Sequence, residues 1–288
     1  MIEFIRVSLI ILAIWFSIVL INDFLKHKNK LENAIWLKSG IIGFIVNFFD
    51  ALGIGSYAPQ TALMKFTRQT EDRHLPGTLN VSGAISALLE AFIFITVVKV
   101  EPVTLISMLV SAMAGAILGA GIVSKMSERK IRLTMGIALL ITAGSMFARN
   151  MNWIEGGGTA IGLYNGKLAI AVVVNFILGA LMTVGIGLYA PCMALVYALG
   201  MSPQVAFPIM MGSCAFLIPP ASVRFINRGA YNRKVSVSMI LPSIVAVLIA
   251  AFIVKSLPLE TLRWLVIVVI LYTSVLMLRA GYSNKAPV

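Results

Sequence analysis

The sequence predicts an all-α membrane protein: a polytopic helical bundle with two inverted repeats, each opening with a broken, re-entrant helix hairpin. Three observations predict it. The 288 residues are 59% hydrophobic and only 12% charged, against about 45–50% and about 25% in soluble domains. Seven apolar runs are long enough to cross a bilayer. Two further apolar stretches are interrupted near their middles by almost the same glycine- and proline-containing motif.

A hydrocarbon core of ~30 Å needs about 20 apolar residues per helical crossing. Runs of that kind lie near 2–25, 76–98, 102–124, 131–148, 205–223, 235–254 and 259–279. The first is too long for the apolar core of a secretion signal and is followed by no small-x-small cleavage pattern. It is therefore expected to be a retained helix, with residues 1–34 adding a basic loop to it. The rest divides into a first repeat at 35–148, a loop at 149–167 and a second repeat at 168–288. Cys192 and Cys214 lie in apolar segments and are expected to be small buried hydrophobes, since two cysteines make neither a disulfide framework nor a metal site.

The interrupted stretches are 35–66 and 168–199. One reads Gly53-Ile54-Gly55-Ser56-Tyr57-Ala58-Pro59 and the other Gly185-Ile186-Gly187-Leu188-Tyr189-Ala190-Pro191. They differ only at Ser56 and Leu188. Val46-Asn47-Phe48 precedes the first break and Val174-Asn175-Phe176 the second, with a spacing that differs by about one helical turn. Ala62-Leu63 and Ala194-Leu195 follow the two prolines at the same distance, and three long spans follow each break. Order and spacing together point to two homologous halves.

Lys and Arg concentrate on the cytoplasmic side of membrane proteins. If both interrupted stretches are hairpins that enter and leave by one face, then 26–38, 65–74, 125–132, 224–234 and the C-terminus from 279 share a side. They hold four, three, four, four and two basic residues, 17 of the 23. Full crossings by the interrupted stretches would scatter these clusters over both faces. Each half then makes an odd number of crossings, so the second is upside down relative to the first, a recurring transporter architecture. The C-terminus is expected in the cytoplasm, and the protein in the cell (inner) membrane. The net charge of +12 is thus a topology signal. Nucleic acid is not expected as a partner; the lipid bilayer is, and a homo-oligomer is compatible with the sequence.

Non-helical backbone at membrane depth is tolerated only inside protein or beside a water-filled cavity. After each Gly-x-Gly a new helix starts, and a helix start carries free N–H groups and roughly half a positive charge. Two such ends meeting near the midplane form an anion site without a buried Lys or Arg. The expected pocket comprises Gly53, Gly55, Ser56, Tyr57 and Pro59 with Gly185, Gly187, Leu188, Tyr189 and Pro191. Asn47 and Asn175 at matching positions either bind substrate or cap broken backbone. Thr78, Asn80 and Ser213 are further candidate pocket polars. Asp50 and Glu90 are carboxylates at membrane depth, where a charge is costly and a functional role is the default expectation. They are candidates for proton coupling; the alternative is structural hydrogen bonding near the break. No catalytic residue, metal or cofactor is expected.

The two Gly-x-Gly…Pro segments and the span pattern resemble the sulfite exporter TauE/SafE permease family over about residues 35–280. The resemblance implies a permease for sulfite, thiosulfate, organosulfonates or related carboxylated anions. The family motif usually carries a longer glycine run, and Ser56-Tyr57 and Leu188-Tyr189 stand in part of its place. The expectation is alternating-access transport of a small anion, with proton coupling as an option. A passive anion channel is the alternative. An intramembrane enzyme needs a nucleophile with a base, or metal ligands. His27 and His74 lie in loops, and Ser56 has Leu188 as its repeat counterpart. A scaffold without transport would leave the broken helices unexplained.

Overall fold

The computed structural model describes residues 2–94, 99–151, 153, 158–252 and 259–282. The expected span ends at 95–98 and 253–254, parts of the 149–167 loop and the last six residues lie outside these. The described chain forms eleven α-helices and one short 3₁₀ turn at Asp72–His74. The helices are α1 (Ile2–His27), α2 (Trp36–Ala51), α3 (Tyr57–Phe66), α4 (Leu75–Phe94), α5 (Pro102–Val123), α6 (Glu128–Asn150), α7 (Asn165–Met182), α8 (Tyr189–Ala198), α9 (Pro203–Asn227), α10 (Arg233–Phe252) and α11 (Leu259–Tyr282). Both interrupted stretches are broken where the motif lies, between α2 and α3 and between α7 and α8.

Among the described residues, six helices are long and apolar enough to cross a membrane: α1, α5, α6, α7, α9 and α10. This multi-pass set adds α7 to the expected spans and lacks α4 and α11. α7, at 18 residues, is about 27 Å long, deeper than a half-crossing arm. The expected 76–98 run extends past α4 into 95–98, outside the described residues, and α4 itself carries Thr78, Asn80, Ser82, Ser86 and Glu90. All five are buried within the protein, so the helix does not present them to lipid. The return arms α3 and α8 have 10 residues each, about 15 Å, which is half a crossing as expected.

α4 and α9 run through the centre and pack on each other. α1 lies against them through Ile5, Leu9, Phe16 and Leu20, a buried stripe at helical spacing. Its remaining faces expose Ile10, Ile11, Ile14 and Ile18, as a lipid-facing surface does. Around this centre, α2 packs on α10 and α7 on α5, while α6 packs on α11.

Two hydrogen bonds close the hairpins. The Ile35 N–H donates to Gln69 Oε1 at 2.9 Å, and Lys167 Nζ donates to the Leu199 carbonyl at 3.1 Å. Each hairpin therefore leaves where it entered. The mouth of the α2–α3 hairpin lies beside the start of α10, where Asn232 Nδ2 donates to the Gln69 carbonyl and Arg233 pairs with Glu32. The mouth of the α7–α8 hairpin lies beside the start of α5, where the Leu163 N–H donates to Thr104 Oγ1 at 2.8 Å. α5 begins at one mouth, and α6, the next helix, begins beside Asp72 at the other. The two hairpins thus open at opposite ends of the bundle. The clusters at 26–38, 65–74, 125–132 and 224–234 all fall at the α2–α3 end, which is the basic end. At the other end Glu101 caps α5. Hydrogen bonds from the Thr104 hydroxyl and from the Thr104 and Val103 amides hold its carboxyl below the usual range.

The α5–α7 contact depends on missing side chains. A Cβ on Gly115 would run into the Phe176 carbonyl, and one on Gly179 into the Ala112 carbonyl. Small residues let membrane helices approach this closely. We expect Gly115→Val to force the backbones apart at a cost of about 1–3 kcal/mol or more. Size-exclusion profile and melting temperature in detergent measure it. Gly121, where an added Cβ meets nothing within 4 Å, is the control: Gly121→Ala leaves both unchanged.

Candidate functional site

The breaks are built by backbone that most residues avoid. Gly53 and Gly55 have φ of 83° and 94°, and Gly185 has φ of 109°, the left-handed region that glycine enters without Cβ strain. Gly187 lacks that constraint, but an added Cβ there, as at Gly55, would meet nothing within 4 Å. Both face open space, and that space is the candidate site.

A cavity of ≈ 40 Å³ lies between the two tips. By the ~10–15 Å³ that a single water needs, it holds about three waters, close to the bulk of a small oxyanion. One wall is the first tip, with Asp50, Gly55, Ser56, Tyr57 and Pro59; the facing wall is the second, with Gly187, Leu188 and Tyr189. Gly83 and Ala87 of α4, Thr142 and Met146 of α6, and Cys214 and Ile218 of α9 complete it. Neither Lys nor Arg lines it among the described residues.

Positive potential comes instead from the starts of α3 and α8. The first helical bonds run from the Gln60 N–H to the Ser56 carbonyl and from the Cys192 N–H to the Leu188 carbonyl. Pro59 and Pro191 have no N–H. The amides of Tyr57 and Ala58, and of Tyr189 and Ala190, are therefore those that helix geometry leaves over. The two tips differ in one respect. At the first, Asp50 already sits at the helix start, accepting from the Ser56 hydroxyl at 2.8 Å. At the second, no carboxylate among the described residues does so. There the Tyr189 hydroxyl donates to Glu90 Oε2 at 3.0 Å, and the other Glu90 oxygen is buried without a partner. Glu90 lies behind Tyr189 rather than on the wall, within electrostatic reach of Asp50.

The structure brings Asp50, Gly55, Ser56, Tyr57, Pro59, Gly187, Leu188 and Tyr189 to one cavity. Other expected site residues lie elsewhere. Asn47 donates to the Gly43 carbonyl at 2.8 Å and to Ser243 Oγ at 2.9 Å, joining α2 to α10. Asn175 donates to the Met108 carbonyl at 2.7 Å and to Ser213 Oγ at 3.1 Å, tying α7 to α5 and α9. These two asparagines and Ser213 hold helices together off the cavity wall. Thr78 accepts from the Asn232 amide at the basic end. Asn80 supports the wall from behind, accepting from the Tyr57 hydroxyl at 3.3 Å. Gly53 and Gly185 shape the breaks without lining the space, and Pro191 is likewise off the wall.

The wall also contains residues that the motif did not indicate. Gly83 and Ala87, Thr142 and Met146, and Cys214 and Ile218 are each four apart, one helix face each. Thr142 in the middle of an otherwise apolar run was the available polar signal. Cys214 is buried as expected, yet it also faces the cavity.

The family model described as Sulfite exporter TauE/SafE matches residues 2–146 and 167–287. No curated protein and no solved structure matches the chain.

Proposed function

The chain belongs to the sulfite exporter TauE/SafE family, and from that premise we propose that it is a secondary transporter of small anions, sulfur-containing or carboxylated, working by alternating access. The cargo sits between the starts of α3 and α8, held by backbone amides and, once Asp50 is protonated, by the Ser56 hydroxyl. The observation that carries this is a small cavity bounded by two helix N-termini from hairpins that open at opposite ends. Oriented amides in a site shielded from water attract an anion more strongly than they would in solvent.

The two halves, 35–148 and 168–288, form inverted repeats in this proposal. Corresponding helices make corresponding contacts: α2 on α10 answers α7 on α5, and α3 on α11 answers α8 on α6. Two halves of opposite orientation give the cavity equivalent routes to both sides. The basic end is the cytoplasmic one in the cell membrane, by the positive-inside rule.

The test uses purified protein in two steps. Thermal-shift measurements compare sulfite, thiosulfate, an organosulfonate and a small carboxylate. A ligand at 100 times its dissociation constant stabilises by about 2.7 kcal/mol. The best binder is then followed into proteoliposomes. We expect saturable uptake at transporter rates that responds to an imposed proton gradient. Channel-like conductance without saturation would replace the transporter with an anion channel. No binding and no uptake of any of the four anions would remove the proposal.

A further inference from the structure

α6 and α11 form a unit of their own. Gly136 and Gly281 let the pair close on Leu278 and Leu133. Ser274 donates to the Gly136 carbonyl at 2.6 Å, and Arg129 to the Gly281 carbonyl at 3.2 Å. Among the described residues this pair meets the rest of the bundle chiefly through the return arms α3 and α8 and the Asp72–His74 turn. It does not share in the central α4–α9 packing.

A second cavity, of ≈ 420 Å³, lies on the same seam at the basic end. Lys65 and Phe66 of α3, Asp72, Glu128 and Arg132 of α6, and Leu276 of α11 are among its lining. Both cavities are bounded by α3 and α6. On α6 they are separated by the ten residues from Arg132 to Thr142, about 15 Å. On α3 they are separated by the turn and a half from Pro59 to Lys65. The fully buried Met64, Met135 and Leu139 lie at intermediate heights on the same two helices.

One ion-pair cluster crosses this seam. Asp72, 4% exposed, pairs with Lys65 on one side and with Arg132 Nε at 2.7 Å on the other. The Arg132 guanidinium also holds Glu128 at 2.6 Å. Lys65 and Arg132 have 14% and 12% of their side chains exposed. A buried pair of this kind matters most when one partner is removed, since the remaining charges are left uncompensated.

We propose that the seam between the α2–α3 hairpin and the α6–α11 pair is the anion route from the basic end to the central cavity, with Lys65, Asp72 and Arg132 as the latch that closes it. Swinging α6–α11 away from α3 joins the two cavities. It also separates Asp72 from Arg132, while Lys65 stays with Asp72 on the hairpin side, so that the guanidinium loses one of its two carboxylates and turns its freed N–H groups to a small oxyanion at the entrance. The purpose of the route rests on the transport proposal; the latch itself does not.

The protein carries its own reporter, because Cys214 lines the central cavity and Cys192 does not. In a Cys192→Ala background, Cys214 is labelled with a membrane-impermeant thiol reagent in sealed vesicles of both orientations. Asp72→Asn breaks the latch from the turn, and Arg132→Gln breaks it from α6. We expect either to raise the labelling rate at least about tenfold from the basic end only, while Arg132→Lys keeps the parent rate. An unchanged rate in either variant, with parental elution and melting, overturns the latch. So does an equal rise from both sides. Should one variant fail to fold, the other decides. No cargo is needed, so failure of anion transport leaves this result standing. Normal anion uptake with unchanged labelling would refute latch and route together and leave the transport proposal standing.

Discussion

Gly187→Leu is expected to abolish anion uptake while leaving a folded, inserted protein. Gly187 lies on the cavity wall, its φ is not in the left-handed region, and an added Cβ meets nothing within 4 Å. The backbone therefore accepts the substitution. The isobutyl group has one place to go, into a cavity of ≈ 40 Å³. It displaces the cargo and covers the start of α8. Misplacement by about 1 Å already costs about 100-fold in positioned chemistry, so we expect at least that loss of uptake, with little change in melting temperature. Gly187→Ala should fall between. Gly55→Leu blocks the same space but adds strain, because Gly55 has φ of 94°. A side chain there costs about 1–2 kcal/mol, so this variant should lose stability as well as uptake. Uptake by Gly187→Leu at the parental rate would mean that the cargo passes elsewhere.

Asp50→Asn is expected to remove the pH dependence of anion binding and to abolish gradient-driven accumulation. Asp50 occupies the start of α3 through the Ser56 hydroxyl, where the cargo is proposed to bind. When ionised it competes for that donor and repels the cargo. At about 4 Å and an effective dielectric of about 20, that repulsion is about 4 kcal/mol. When protonated it does neither. Cargo affinity in the parent should therefore rise as pH falls, by up to about tenfold per pH unit while one proton is taken up with each anion. Asparagine mimics the protonated form, so its affinity should be high and flat with pH. The fold should survive, since the amide oxygen still accepts from Ser56 and a lost hydrogen bond costs about 1 kcal/mol. An organosulfonate is the ligand for this titration because it stays ionised throughout. Thermal-shift affinities and proteoliposome accumulation are the two measurements. A parental pH profile in Asp50→Asn would leave Glu90, bonded to Tyr189, as the carboxylate to examine.

The breaks were legible because each motif carries its own physics. Gly53, Gly55 and Gly185 permit backbone that other residues resist, and Pro59 and Pro191 fit the first turn of the helices that follow. The hairpin topology was legible in the charges, since basic loops at 26–38, 65–74, 125–132 and 224–234 can share a face only if both interrupted stretches turn back. The roles of Asn47 and Asn175 were not legible. A buried asparagine beside a break binds a ligand or bridges helices equally well, and only the partners Ser243 and Ser213 distinguish these. Thr142, Met146 and Cys214 were also hidden, because a residue's height on a helix is readable from sequence and its facing is set by the neighbours.

The sequence by itself determined where this chain breaks and which residues can start a helix there, because backbone permissiveness is a local property. The tertiary structure alone decided which breaks meet, that Asp50 fills one helix start and leaves the other open, and that α6 and α11 stand apart behind the Lys65–Asp72–Arg132 cluster. These depend on packing between segments that are distant in the chain, where contact is set by the fit of whole helices and not by any one residue type.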